Sequence, residues 1–318
     1  MTTPLDADIA QIIPLLPLRD PDTMTPQGAR DSLVAMARAR PPVQSPAQAS
    51  AIRVKGAAGS IPARLYRIGA EPSPTVVFFH GGGWVAGDLE THERQAQLLA
   101  VETGAVVVSV DYRRPPEAPF PAAFEDCFAA LEDIAARIGE FGGDKRRIGV
   151  AGDSAGGNLA AVCAIAARDN GLGLAGQLLV YPVADVTGLY ADAAENARYP
   201  SRQENASGYF LSRATMAWFA RHYLGADATG DDWRVSPLRA KNLVGLAPAV
   251  VCTAWYDPLR DEGQAYADAL EAAGVETTRH HGPGLIHGYF GMGDASAAAR
   301  AEAQRARADF KRLLDRGA

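Results

Sequence analysis

From residue 50 onward the chain alternates short, nearly unbroken apolar runs with longer stretches whose apolar positions recur at helical spacing. AIRV (51–54) and ARLYR (63–67), separated by GAAGSIP, predict an opening hairpin. TVVFFH (75–80), AVVVSV (105–110), RIGVAG (147–152), GQLLVYP (176–182), AVVCTAW (249–255) and TTRHH (277–281) predict six further strands. Runs that are apolar at nearly every position belong to strands buried on both faces, as in a parallel sheet covered by helices. The periodic segments near 90–103, 120–139, 155–169, 211–223, 261–273 and 295–315 predict those helices, and the last is amphipathic, suited to closing the sheet. Alternation of this kind predicts an α/β fold with a mostly parallel central sheet and helices on both faces.

Two regions fall outside the pattern. Residues 1–45 read as helix with proline breaks, and residues 184–210 show no clear period. A structureless stretch of that length inside a compact domain is usually a functional lid or disordered. A helical cap over the active site is the economical assignment for both. The expected organisation is one catalytic core, residues 46–184 and 236–318, carrying a cap region formed by 1–45 and 185–235.

Composition narrows the picture. The net charge of −6 is an ordinary solubility charge and argues against a polyanionic partner such as nucleic acid. No run reaches the roughly 18 apolar residues of a membrane span, and the N-terminus lacks the basic start of a signal peptide. Cys127, Cys163 and Cys252 are odd in number and lie in apolar contexts, so they read as buried thiols in a reducing cytoplasm.

Chemistry concentrates in three segments. Gly152-Asp153-Ser154-Ala155-Gly156 is a G-x-S-x-G pentapeptide between a predicted strand and a predicted helix, the context that holds a nucleophilic serine on a tight turn. HGGG at 80–83 follows the strand TVVFF. By composition it is the rarer signal, with roughly 0.006 chance occurrences against roughly 0.1 for the pentapeptide. Consecutive glycines cost backbone entropy, and an oxyanion hole is a reason to bear it, because unobstructed amides must face the developing negative oxygen. Gly82, Gly83 and Ala155 are the expected donors, with His80 ordering the loop. Six histidines are candidates for the base. His287, in the glycine-flanked loop PGLIHGYFG after the last strand, has the position an α/β-hydrolase requires. His280 and His281 are the runners-up, and His92 and His222 read as surface or packing residues within helical patterns. Asp257 ends AVVCTAWYD and precedes a proline, which makes it the expected orienting carboxylate. Asp261 and Glu262 open the next helix and suit an N-terminal charge role. No HExxH, CxxC, P-loop or GxGxxG occurs, so neither a metal nor a cofactor is expected.

Taken together, HGGGWVAGDLETHE (80–93), DYRRPPEAPFPAAFEDC (111–127), GDSAGGNLAA (152–161), GYFLSRATMAWF (208–219), SPLRA (236–240), YDPLRDEG (256–263) and IHGYF (286–290) closely resemble the hormone-sensitive-lipase-like family of bacterial esterases, over most of residues 50–290. The departures are an RRPPE where many relatives have an apolar residue and alanine, and an N-terminus that matches least. The resemblance implies an α/β-hydrolase fold, a Ser154–Asp257–His287 triad and hydrolysis of small esters with short to medium acyl chains. Trp84, Asp153, Tyr181, Tyr209, Phe210 and Trp218 are expected near the substrate. The resemblance also implies pairing of two copies through the last sheet edge, near 277–281. An amidase, thioesterase or carbamate hydrolase would use the same triad, whereas a non-catalytic small-ligand receptor of this fold could dispense with it. A lipase acting at oil–water interfaces would need an apolar lid, and 184–210 is instead rich in charged and polar residues.

Overall fold

The computed structural model describes residues 3–17, 20–40, 43, 45–69, 72–225 and 228–317. Eight strands form one sheet: β1 (Gln48–Gly56), β2 (Gly59–Arg67), β3 (Ser73–Phe79), β4 (Val106–Val110), β5 (Gly143–Asp153), β6 (Gly176–Val180), β7 (Ala249–Cys252) and β8 (Thr277–His280). Their spatial order is β1-β2-β4-β3-β5-β6-β7-β8. β1 and β2 form the antiparallel hairpin, β2 pairs antiparallel with β4, and β4 to β8 run parallel through β3. Every strand and long helix expected from the pattern is present.

Ten α-helices complete the described chain: α1 (Ala7–Ile12), α2 (Pro26–Arg38), α3 (Glu93–Thr103), α4 (Ala122–Ala136), α5 (Ala155–Asp169), α6 (Ala193–Ala197), α7 (Ser201–Glu204), α8 (Arg213–Leu224), α9 (Arg260–Ala272) and α10 (Ala297–Arg316). Among the described residues, no helix is long and apolar enough to cross a membrane. The sheet separates two cores. In β3, Val77 and Phe79 join the core shared with α4, α5, α8 and α9, while Val76 and Phe78 join the one closed by α3 and α10. A strand buried on both sides must be apolar at both parities, which is why the sheet appears in the sequence as runs rather than as alternation. Each fully buried Val or Phe contributes about 1.5–3 kcal/mol relative to its exposed state.

α5 is buried along nearly its whole length beneath the sheet's centre, and its small residues permit that approach. A Cβ on Gly156 would lie 2.0 Å from the carbonyl oxygen of Phe79. Helix starts carry the expected caps: Thr25 accepts from Gly28 N–H in α2, Ser212 from Thr215 N–H in α8, and Ser296 from Ala299 N–H in α10.

Residues 184–210 are not the open loop their sequence suggests. They form a 3₁₀ turn (Thr187–Tyr190) followed by α6 and α7. Many of their polar residues point inward: Asp185, Asn196, Ser201, Arg202 and Asn205 are all buried. Arg202 and Glu262 form an ion pair at 2.6 Å with neither side chain exposed. Glu262 is therefore a buried partner rather than a solvent-facing charge at the start of α9. The polar composition of 184–210 records internal pairing and does not describe an outer lid surface.

Candidate active site

Because β5, β6 and β7 are parallel, the turns that leave them gather at one edge of the sheet, the crevice where α/β proteins bind ligands. Ser154 sits between β5 and α5 with φ 56° and ψ −119°, a left-handed conformation that costs of order 1–3 kcal/mol for a non-glycine residue. Its N–H donates to Val180 O at 2.8 Å, which fixes the turn against β6. Asp257 follows β7 and is fully buried. His287 follows β8, beside an isolated bridge between Tyr256 and Ile286 that draws the two loops together.

Ser154 Oγ–H donates to His287 Nε2 at 2.9 Å, and His287 Nδ1–H donates to Asp257 Oδ2 at 2.7 Å. The other carboxylate oxygen, Oδ1, accepts from Leu259 N–H at 2.9 Å, so both oxygens of this buried acid are satisfied. Asn205 Nδ2 donates to the carbonyls of Trp255 and Asp257, at 3.2 Å each, and Ser201 Oγ–H donates to Pro258 O at 3.0 Å. The segment around α7 thus grips the loop that presents Asp257. His287 is packed from one side by the Tyr181 ring, 4.5 Å between centroids.

The HGGG loop lies beside Ser154, and Gly82, Gly83 and Ser154 line one cleft. Among the described residues no acceptor takes the N–H of Gly82, Gly83 or Ala155. Ala155 opens α5, where amides have no intrahelical partner and the helix dipole favours negative charge. Gly83 has φ 61°, and a Cβ there would lie 2.2 Å from the Phe219 ring. The loop is braced from behind. Tyr112 O–H donates to His80 O at 2.7 Å, its ring stacks on His80 at 4.3 Å, and Gly81 N–H donates to Asp153 Oδ1 at 3.1 Å. Complete burial pushes the His80 imidazole well below its ordinary pKa, helped by His92 and Arg114, so it stands neutral in the loop. Arg114, one of the departures from the family pattern, donates to Gly87 O at the end of the same loop.

The cleft encloses about 810 Å³ including its open mouth. Asp153, Tyr181 and Phe210 line it, whereas Trp84, Tyr209 and Trp218 do not. Trp84 is fully buried and stacks on Tyr223 at 4.6 Å, Tyr209 packs on Tyr256 at 4.8 Å, and Trp218 packs on His222 at 3.9 Å. Trp84 and Trp218 found partners in the packed interior and the half-buried Tyr209 found one on Tyr256, instead of lining the cleft. His92 differs in the other direction: it precedes α3, is buried, and faces Asp153 with Nε2 3.4 Å from Oδ1. His280 is engaged with Asp309 on α10 at 2.8 Å and takes no part in the Ser154 cluster. His281 also lies outside the cleft.

The wall also includes residues that were not expected there: Leu33, Met36, Ala37 and Arg40 from α2 and its end, Gln95 of α3, and Met216 and Phe219 of α8, which fall within the 208–219 motif. The first four have the i, i+3, i+4, i+7 spacing of a single helical stripe, a signal present in the sequence. α2 is anchored by Arg30, which forks onto Glu117 at 2.8 and 2.6 Å and donates to the carbonyls of Val85 and Pro115.

This fold and geometry define an α/β-hydrolase. A family model described as alpha/beta hydrolase fold matches residues 76–291, and the chain belongs to that family. Within it the chain belongs with the hormone-sensitive-lipase-like esterases. It is 41% identical over 330 aligned positions, covering 99% of each chain, to carboxylesterase NlhH of Mycobacterium tuberculosis. It is 38% identical to an arylesterase of Saccharolobus solfataricus over 73% of each chain. The crystal structure of a thermostable esterase from Pseudomonas putida superposes with a TM-score of 0.90 at 34% identity, covering 99% of both chains.

Proposed function

We propose that this carboxylic-ester hydrolase works through Ser154, His287 and Asp257 by a two-step acyl transfer. The observation that carries the reading is the continuous hydrogen-bond chain from Ser154 Oγ through His287 to Asp257, at 2.9 and 2.7 Å, on the wall of the cleft. His287 Nε2 takes the proton as Ser154 Oγ attacks the ester carbonyl. The oxyanion formed is received by the amides of Gly82, Gly83 and Ala155, each donor being worth about 3 kcal/mol to the transition state. His287 then returns its proton to the departing alcohol, and the acyl group remains on Ser154. Water, deprotonated by the same nitrogen, attacks the acyl-enzyme and releases the acid. Asp257 stays ionised throughout, holding the imidazole tautomer and its positive charge.

Substrates are small esters with short to medium acyl chains, a range suited to a wall of Leu33, Met36, Met216 and Phe219. The cap assigned to residues 1–45 and 185–235 sets that fit, since it supplies those four side chains. Three buried free thiols suit a reducing, cytoplasmic setting. β8 is the last strand of the sheet order, and its outer edge is where a second copy would add its own β8. Light scattering reads that assembly directly.

The test is hydrolysis of p-nitrophenyl esters from acetate to palmitate by the wild-type enzyme and by Ser154→Ala. Activity should peak at the shorter chains and vanish in Ser154→Ala. An unaltered rate in a folded Ser154→Ala protein would remove the proposal.

A further inference from the structure

The cleft is apolar toward α8 and polar toward α3. At the polar end Arg40 lines the wall with Gln95, and neither is used by the chemistry proposed for Ser154. Arg40 Nη1 donates to the carbonyl of Gly291 at 2.6 Å. Among the described residues no carboxylate lies within ion-pair distance of it. Asp294, whose field reaches Arg40, is engaged by Arg94. Asp153, the carboxylate of the same cleft, is tied to Gly81 N–H and faces His92. Burial lowers the Arg40 pKa by more than the field of Asp294 restores, yet a guanidinium remains protonated.

Beside it, the Gln95 side-chain oxygen is buried with no hydrogen-bond partner. The two groups converge on Gly291: a Cβ there would stand 3.3 Å from Gln95 Nε2 and 3.4 Å from Arg40 Nη1. Even a methyl group at Gly291 would press on both, so the glycine lets the guanidinium and the amide stand together at the cleft wall, the amide able to present N–H as well as oxygen. A guanidinium on a cleft wall with no carboxylate in ion-pair reach is matched by a planar anion with two oxygens.

We propose that the cleft selects half-esters of dicarboxylic acids, the free carboxylate of the acyl chain resting on Arg40 and Gln95 and the alkyl group against the apolar wall. This rests on the esterase reading of Ser154 and names its substrate class.

The test compares carbon-matched pairs in a pH-stat: monoethyl succinate against ethyl butyrate, and monoethyl adipate against ethyl hexanoate. The quantity read is the ratio of kcat/KM, charged over neutral. In the wild-type enzyme the ratio should exceed one for at least one pair, and the KM of the half-ester alone should rise with sodium chloride. Arg40→Gln is expected to lower the ratio about tenfold, mainly through KM, while Arg40→Lys keeps only part of it, because an ammonium supplies the charge without the fork; a hydrogen bond to a charged group supplies an effect of this order. A ratio below one for both pairs in the wild-type enzyme, or one that Arg40→Gln leaves unchanged, overturns the inference. Hydrolysis of ethyl butyrate that depends on Ser154 separates these failures from failure of the esterase reading itself.

Discussion

Replacing Arg202 by methionine tests whether the interior charge network holds the 184–210 segment in place. Glu262 accepts five hydrogen bonds. Oε1 takes Ala184 N–H at 2.9 Å, Asp185 N–H at 3.3 Å and Tyr190 O–H at 3.0 Å, and Oε2 takes Arg202 Nε at 3.0 Å and Nη2 at 2.6 Å. The guanidinium is also sandwiched between the rings of Tyr190 and Tyr199, 4.3 and 4.5 Å from their centroids. Arg202→Met would keep much of the volume but leave Glu262 fully buried without its counter-ion, either stranded as a charge or made to take up a proton, since burial already raises its pKa. Breaking such a pair by removing one partner costs about 3–5 kcal/mol. With an unfolding entropy of about 2.1 cal/mol/K per residue, 318 residues give roughly 0.7 kcal/mol/K, so the expected fall in Tm is about 4–7 °C.

Scanning calorimetry at fixed scan rate measures that fall, and a double variant isolates its origin. In Arg202→Met/Glu262→Met the stranded charge is gone, so the double variant should be more stable than Arg202→Met alone. If the two single losses simply add in the double variant, the pair is not coupled and the reasoning fails. Since Asn205 and Ser201 hold the Asp257 loop, Arg202→Met should also lower kcat at temperatures where it remains folded.

Gly83→Ala is expected to reduce kcat by about 100-fold or more with the circular dichroism spectrum retained, because the methyl group would meet the Phe219 ring and displace one of the amides proposed to receive the oxyanion. Burial alone would raise the Asp185 carboxyl, but hydrogen bonds from Thr187, Tyr199 and Arg239 outweigh it and hold the pKa below its ordinary value. The folded state therefore binds this proton less readily than the unfolded chain, and the stabilisation present above about pH 4 is lost as the pH falls further. Tm measured from pH 6 to pH 3 should drop, and the drop should be shallower in Asp185→Asn. Burial pushes the Cys252 thiol up to about 12 and raises Cys127 and Cys163 as well. A thiol reagent at pH 8 should label none of the three in the native protein and all three in urea; rapid labelling of the native protein would contradict their burial.

The parts of this molecule that were legible in its sequence share a physical cause. A strand such as β3 is buried by helices on both sides whatever the details of those helices, so its apolar run carries the answer locally. The same holds for Ser154: the strand-to-helix turn needs small neighbours within two residues, and the glycines stand there. Arg202 is the opposite case. Its partner Glu262 lies 60 residues away, and no local rule distinguishes a charge facing solvent from one facing a distant counter-charge. Arg202 and Asp185 read as an exposed lid for that reason, and Glu262 as a helix-end charge. The aromatics misled in a related way, since Trp84 and Trp218 satisfy the chemistry of a substrate pocket and of a packed interior equally well until their neighbours are known. Leu33, Met36, Ala37 and Arg40 are intermediate. Their helical stripe is plain in the sequence, but what it faces depends on how Arg30 anchors α2 to Glu117, a contact spanning 87 positions. The reaction is thus encoded in short segments, while substrate choice is encoded in long-range contacts, and the Arg40 and Arg202 experiments both address the second kind.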